Sequence, residues 1–337
     1  MAKDPLHRLS TGPMACTRRA ALLGGAGWGL GLHAAQATPR RLGVLMYDDA
    51  SAWSARRAEL ERALAALGWT EGTSLRSDWR YAEGSEARLD ELAGALVRSK
   101  VDTLLSNGVP ATRALQRATR SVPIVTGIGD PVGMGYAQTL ARPGGNVTGQ
   151  SYAVVEAARK QIELLRELVP ALASLALVLK ANRRPYAGDI THGAQVAARE
   201  AGLATRLVLA ADGAELERAL RRGQGPGREG ALVFGFTASI EPAEAVGATR
   251  SARVPAVFEQ RRYVELGGLA SYQLDWGGNQ VQRLAAQLDK VLRGADPAAL
   301  PFEFPTRSEV ALNMAAARAL GLAVPASLRV RADHVIE

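Results

Sequence analysis

Residues 123–151 read PIVTGIGDPVGMGYAQTLARPGGNVTGQS, an apolar run followed by closely spaced glycines. Glycines after a strand often let the backbone approach a phosphate, so this stretch raises the question of a nucleotide site. The dinucleotide motif needs G-x-G-x-x-G after the first strand, but this run is the fourth predicted strand. Gly127 and Gly129 are followed by Gly133, one residue too late, and Asp130 would put a carboxylate where the pyrophosphate should lie. The spacing therefore argues against a dinucleotide site.

Residue types typical of catalytic and metal sites are also sparse. After the N-terminal segment the histidines are His192 and His334, and neither has the spacing of a metal site or of a Ser–His pair. Asp48 and Asp49 are adjacent, so at the end of a strand their side chains point apart. The sequence therefore predicts a protein that is not an enzyme and has no metal and no cofactor.

Composition is that of an ordinary globular protein. The chain has 337 residues, of which 47% are hydrophobic and 22% charged, and this length is enough for two domains. The formal net charge of +8 comes mostly from arginine. These arginines are spread along many predicted helices instead of forming a basic stripe with aromatic residues, so no nucleic-acid binding is predicted.

The N-terminus has the order of an export signal. Residues 18–37, RRAALLGGAGWGLGLHAAQA, begin with an arginine pair, continue as a weakly apolar segment and end in a small-x-small motif. This order predicts a twin-arginine signal peptide, cleaved near Ala37, and a periplasmic mature protein. A general secretory signal and a membrane anchor are the alternatives, and Met14 is an alternative start. The only cysteine, Cys16, precedes the apolar segment, so no disulfide is expected after cleavage.

After the signal, short apolar strands alternate with amphipathic helices, which is typical of parallel sheets covered by helices on both faces. The order of elements restarts at SLALVLK, residues 174–180, and repeats that of the first half. We therefore predict an α/β fold of two similar lobes. Ser85, Asp212 and Asn313 are the expected N-caps of three helices.

Ligands of open α/β sheets bind at the carboxyl ends of the strands. Helix N-termini there can hold a carboxylate, an aspartate can hold an ammonium group, and aromatic rings can cover an apolar body. We therefore predict a site for a small polar metabolite between the lobes. The predicted ligand-binding residues are Tyr47, Asp48, Trp53, Ser106, Asn107, Gly129, Asp130, Asn182, Tyr186, Phe236, Thr237 and Tyr272.

The stretch at 123–151 resembles the signature of the substrate-binding proteins of ABC importers that are grouped with tryptophan- and tyrosine-binding proteins. In that signature, Gly-Asp-Pro-Val-Gly leads into a helix that ends before Arg-Pro-Gly-Gly-Asn-Val-Thr-Gly. The stretches GGLASYQLD (267–275), DKVLRGADPAALPFEFPT (289–306) and ALNMAAARALGLAVPASLRVRADHVIE (311–337) are similar to the same family.

This resemblance implies a type I periplasmic-binding fold, in which two Rossmann-like lobes are joined by a three-segment hinge and close on a ligand. It implies crossings near 148–151, 271–273 and 302–306. The expected N-terminal lobe is 38–149 plus 273–301, and the expected C-terminal lobe is 150–272 plus 302–337.

The resemblance also implies a function. The protein would bind an amino-acid-like or aromatic metabolite and deliver it to an ABC permease with its ATPase subunits, and it would be monomeric in solution. A ligand sensor for a membrane signalling receptor and a secreted enzyme on the same fold are the alternatives.

Overall fold

The apolar runs of the sequence become the central strands of two sheets. A computed structural model of the chain describes residues 38–182, 187–223, 228–234, 240–275 and 278–337. The predicted export segment, residues 1–37, lies outside the described residues, and so do Tyr186, Phe236 and Thr237 of the predicted site.

The first sheet is parallel throughout, with the strand order β2–β1–β3–β4–β5. Its strands are β1 (Arg40–Met46), β2 (Leu75–Tyr81), β3 (Thr103–Asn107), β4 (Ile124–Ile128) and β5 (Val147–Ser151). The helices between them are α1 (Ala50–Ala66), α2 (Glu86–Arg98) and α3 (Val109–Ala118). Strands β3, β4 and β5 are buried along most of their length, because helices cover both faces of the sheet.

The second sheet has the strand order β12–β11–β10–β9–β8–β6–β7. Its strands are β6 (Leu172–Lys180), β7 (Ala204–Ala210), β8 (Arg228–Val233), β9 (Ala256–Phe258), β10 (Ala270–Asp275), β11 (Arg307–Asn313) and β12 (His334–Ile336). The remaining helices are α4 (Val154–Leu168), α5 (Ala187–Glu200), α6 (Gly213–Arg222), α7 (Pro242–Ser251), α8 (Arg261–Glu265), α9 (Gln280–Leu292), α10 (Met314–Ala319) and α11 (Ala326–Arg331). The pairing of β10 with β11 is antiparallel and departs from the predicted parallel pattern.

The repeat predicted from the sequence is visible in the connectivity. The order β2–β1–β3–β4–β5 of the first sheet reappears as β7–β6–β8–β9–β10 in the second. Helix α9 packs on α1 and β1 of the first sheet, through Ala285, Leu288 and Leu292. We call the first sheet with α1–α3 and α9 the first lobe, and the second sheet with the other helices the second lobe.

Local capping signals in the sequence are confirmed. The side chains of Ser85, Asp212 and Asn313 accept hydrogen bonds from backbone N–H groups in the first turns of α2, α6 and α10. Asp49 does the same for α1, with its Oδ1 accepting from the N–H groups of Ser51 and Ala52. These bonds satisfy donors that a helix start leaves without a partner, and so they fix where each helix begins.

The prediction of a helix after Pro131 is wrong. Residues 131–135 form turns, in which Asp130 Oδ1 accepts from Gly133 N at 2.8 Å and Pro131 O accepts from Tyr136 N at 2.8 Å. Gly135 has a φ of +76°, in the left-handed region that ends a right-handed helix. The glycines and the proline of this stretch therefore favour consecutive turns over a helix.

Candidate functional site

The carboxyl ends of β1 and β3 lie beside a hollow between α1 and α9. The hollow is narrow and partly open to solvent. Its apolar lining comes from both helices and both strands, and consists of Met46, Leu60, Leu105, Val281 and Leu284. The hollow lies at the carboxyl ends of parallel strands. This is where the ligand of an α/β protein is expected to bind.

Aromatic and cationic side chains form one wall of the hollow. The guanidinium of Arg56 lies 5.5 Å from the ring centroid of Trp53, and that of Arg57 lies 4.7 Å from the ring centroid of Trp79. Arg57 also donates from Nε to Glu61 Oε1 at 2.7 Å, and this hydrogen bond raises the pKa of Arg57. The wall therefore combines flat apolar faces with fixed positive charge, an arrangement that can hold an aromatic group next to an anion.

The opposite side of the hollow is polar. Tyr152 Oη donates to Asn107 Oδ1 at 2.6 Å, and burial raises the pKa of Tyr152 to about 12. Because Oδ1 of Asn107 is occupied in this way, its amide N–H2 group remains to donate to a ligand. Gln150 Nε2 donates to the carbonyl of Gln280 at 2.9 Å, which ties β5 to the start of α9 beside the hollow.

Three of the predicted site residues line this hollow. They are Trp53, Ser106 and Asn107. Ser106 is fully buried, and its hydroxyl lies 3.0 Å from that of Thr112, so it supports the floor of the hollow through a hydroxyl pair. Trp53 and Asn107 are therefore the predicted residues with groups able to contact a ligand in this hollow.

The other described residues of the predicted set lie elsewhere. Tyr47 Oη donates to the carbonyl of Gly84, and Asp48 follows β1 with partial exposure. Asn182 is exposed after the end of β6, and Tyr272 lies within β10 of the second lobe, where it packs on the second-lobe core.

Gly129 and Asp130 face the second lobe. A Cβ at Gly129 would lie 3.0 Å from Cγ2 of Val154, so that this position brings two elements close together. Asp130 Oδ2 lies 3.1 Å from His192 Nε2, and Arg113 Nη2 lies 3.0 Å from Asp189 Oδ1. Because His192 and Asp189 are both on α5, this helix of the second lobe meets the first lobe through polar side chains.

Several residues of the hollow were not predicted from the sequence. Arg56 and Arg57 lie three and four residues after Trp53 on α1, and this helical spacing is a signal that could have found them. Trp79 lies on β2 and Gln280 at the start of α9, far from the signature stretch, and no local signal points to them.

In the described part of the chain, no group of His, Cys, Asp and Glu could hold a metal ion. No described helix is long and apolar enough to cross a membrane.

The sequence model of one family matches most of this chain. Residues 42–336 match the sequence model of the family described as ABC transporter substrate binding protein. A curated relative, the tyrosine-binding protein of Clostridioides difficile, is 29% identical over 119 residues. That match covers 35% of this chain and 34% of the relative, so it spans about a third of that protein.

Solved structures show the same fold. The ABC domain of a Streptococcus pneumonia protein in complex with L-Trp has a TM-score of 0.61 and 23% identity, over 89% of this chain and 100% of that one. A conserved domain protein of Vibrio cholerae has a TM-score of 0.63 and 25% identity, over 88% of this chain and 100% of that one. These likenesses confirm the expected type I fold with two lobes.

Proposed function

Because this chain belongs to the family of ABC transporter substrate-binding proteins, we propose that it is the solute-binding subunit of an ABC importer. It binds an amino-acid-like or aromatic metabolite between its lobes and delivers it to a membrane permease, which its ATPase subunits drive. The tyrosine-binding relative and the structural neighbour that holds L-Trp support a ligand with an aromatic body.

One observation carries the proposal most directly, namely the hollow at the carboxyl ends of β1 and β3. It brings the rings of Trp53 and Trp79, the charge of Arg56 and the amide of Asn107 to a single place. Recognition of a small metabolite needs an apolar body contact together with a few placed polar groups, and the hollow supplies both.

Closure of the lobes on the ligand is the proposed mechanism. The segment at 303 pairs with β5, since Ser151 N donates to Glu303 O at 2.7 Å and Glu303 N donates to Gly149 O at 2.8 Å. Two of the proposed crossing segments therefore lie side by side, as expected for a hinge. A ligand that contacts both lobes binds the closed form better and shifts the equilibrium towards it.

We further propose that the protein is exported and acts in the periplasm. Residues 1–37 direct export and are removed near Ala37, so that the mature chain acts in the periplasm. There the protein is a monomer, and it has no catalytic activity. We place the N-terminal lobe at 38–149 plus 273–301 and the C-terminal lobe at 150–272 plus 302–337. The permease then recognises the closed, ligand-bound form.

Thermal unfolding of residues 38–337 against a ligand panel tests the proposal. The protein is first refolded from denaturant, so that no carried-over ligand remains, and is then melted with aromatic and other amino acids, organic acids, purines and nicotinamide nucleotides. A ligand at 100 times its dissociation constant adds about 2.7 kcal/mol, which raises the melting temperature visibly.

We expect a selective shift with one class of aromatic metabolite, and we expect the shift to shrink in a Trp53→Ala variant. Arg62→Ala is the matched control, because Arg62 is an exposed residue of the same helix that does not line the hollow. No shift with any member of the panel, or a shift with nicotinamide nucleotides alone, would contradict the proposal.

A further inference from the structure

The charge around the hollow indicates which aromatic metabolite fits it. Among the described residues that line the hollow, the charged side chains are Arg56 and Arg57. The internal segments outside the described residues, at 183–186, 224–227, 235–239 and 276–277, contain no aspartate or glutamate. These segments therefore cannot bring a carboxylate to the hollow.

Of these two arginines, Arg56 is the one that could form an ion pair with a ligand. Arg57 is already paired with Glu61 and lies over the ring of Trp79. Arg56 has no carboxylate partner within ion-pair distance in the described part of the chain. Its charge reaches the far side of the hollow, since it acts to lower the pKa of Tyr152 against the larger effect of burial. An anionic group of a ligand beside Trp53 would supply the missing partner.

Uncharged N–H donors in the hollow also favour a ligand with a hydrogen-bond acceptor. The indole Nε1 of Trp79, another lining residue, is buried and has no hydrogen-bond partner among the described residues. The Asn107 amide N–H2 group is a further donor, because its oxygen accepts from Tyr152. Buried donors without acceptors cost free energy, and a carboxylate can accept from several donors at once.

Two nearby aspartates already have interaction partners. Asp130 accepts from Gly133 N and lies 3.1 Å from His192 Nε2. Asp48 also has an interaction partner and is not free. The α-ammonium of an amino acid lies next to its carboxylate, so in this hollow it would lie close to Arg56. It would then be repelled by Arg56 and lose hydration without a carboxylate to compensate.

From these contacts we infer that the preferred ligand is an aromatic carboxylate that lacks an α-ammonium group, such as an arylacetate or an arylpropionate. The ring lies against Trp53, and the carboxylate lies between Arg56 and the amide of Asn107. This inference rests on the proposed function and concerns the ligand class of the same site.

Isothermal titration calorimetry on residues 38–337 with matched ligand pairs tests it. The pairs are indole-3-propionate with L-tryptophan, and 3-(4-hydroxyphenyl)propionate with L-tyrosine, and each pair differs only in the ammonium group. We expect the deaminated ligand of one pair to bind at least about tenfold more tightly than its amino acid. Indole-3-propionamide, which is uncharged, should bind at least about tenfold more weakly than the corresponding carboxylate.

Variants assign the effect to residues. Arg56→Ala should weaken binding of the carboxylate by at least about tenfold, whereas Arg62→Ala on the same helix should leave it unchanged. Asp48→Asn should not weaken binding of the carboxylate.

Equal or tighter binding of the amino acid overturns the inference, and if Asp48→Asn then weakens it, Asp48 is the ammonium partner. In that case the proposed function stands. Binding of neither member of either pair, together with a thermal shift from another metabolite, also overturns the inference alone. The proposed function itself fails when nothing in the wider panel binds or when nicotinamide nucleotides alone bind.

Discussion

Gly127 links the glycine-rich stretch to the candidate site. A Cβ at this position would lie 2.8 Å from Asn107 Oδ1 and 2.9 Å from Cζ of Tyr152, closer than real Cβ contacts. The glycine therefore makes room for the hydrogen bond between these two side chains. Gly149 allows β5 to lie close to β4, because a Cβ at this position would lie 2.6 Å from the backbone nitrogen of Thr126.

Gly127→Ala is expected to destabilise the protein by about 1–3 kcal/mol, because the added methyl group must displace Tyr152 or Asn107. Urea unfolding of residues 38–337 measures the change. Gly145→Ala is the matched control, since no atom lies within 4 Å of its added Cβ and its backbone is not in the left-handed region. Equal stability of the two variants would contradict this account of Gly127.

Tyr152 should also affect stability at alkaline pH. Burial raises its pKa to about 12 in the folded protein, above the value near 10 of an unfolded tyrosine. Its contribution is therefore complete below pH 10 and is lost as the pH rises through 12. The wild type should lose about 1–3 kcal/mol more than Tyr152→Phe over this range, measured as unfolding free energy against pH. Parallel pH profiles for the two proteins would contradict this.

At the scale of residues, the sequence indicates two residues of the hollow but not their contacts. Trp53 and Asn107 could be predicted because they follow strands whose carboxyl ends meet at one edge of a sheet. The bond between Tyr152 and Asn107 joins residues 45 positions apart, and no local pattern specifies it. Trp79 looked like an ordinary strand residue for the same reason.

At the scale of elements, β7 and β8 are held in place by a partly buried ion pair. Arg206 donates from Nε and Nη2 to the two carboxylate oxygens of Glu229, at 2.7 and 2.6 Å. Glu229 is 6% exposed, whereas a third of the Arg206 side chain remains exposed. Without its partner, the Arg206 guanidinium can therefore be hydrated, whereas the Glu229 carboxylate remains buried.

Arg206→Ala should cost about 3–5 kcal/mol, because it leaves a buried carboxylate without a partner. Glu229→Ala should cost less, because the guanidinium can turn towards solvent. Chemical denaturation of both variants measures the difference, with Lys160→Ala as a control for an exposed pair, Lys160–Glu163. The account would be wrong if Glu229→Ala were the more damaging substitution.

Helix α5 should help to hold the lobes together. Its residues Asp189 and His192 contact Arg113 and Asp130 of the first lobe at 3.0 and 3.1 Å. These pairs are partly exposed, so each contributes about 0–1 kcal/mol. The double variant Arg113→Ala with His192→Ala should therefore bind ligand about two- to tenfold more weakly.

Calorimetry measures the affinity of this double variant. Arg117→Ala is the control, because Arg117 pairs with Asp90 inside the first lobe. Unchanged affinity in the double variant would mean that α5 does not stabilise the closed form.

Elements with local signals were predicted well and the others were not. The caps at Ser85, Asp212 and Asn313 depend on side chains within a few residues of the helix start, so the sequence reveals them. The turns after Asp130 were mistaken for a helix, and the antiparallel direction of β11 was not expected. The direction of β11 depends on how the chain returns from α9 to the second sheet, which is a tertiary property.

At the scale of the whole molecule, the repeated order of strands and helices predicted the matching connectivity of the two sheets. That prediction succeeded because each half alternates apolar strands with capped helices, so the topology follows from general packing rules. The identity of the ligand does not follow from those rules. It depends on which side chains face the hollow, and those come from helices α1 and α9 and from strands β1, β2, β3 and β5.

Small-angle X-ray scattering of residues 38–337 tests the central claim, that a small ligand closes the two lobes. The protein is measured without ligand and at saturation, with occupancy verified by calorimetry on the same samples. We predict a smaller radius of gyration at saturation, and no such change in Arg56→Ala at a ligand concentration that saturates only the wild type. An unchanged radius of gyration in fully occupied wild-type protein would contradict the closure of the lobes.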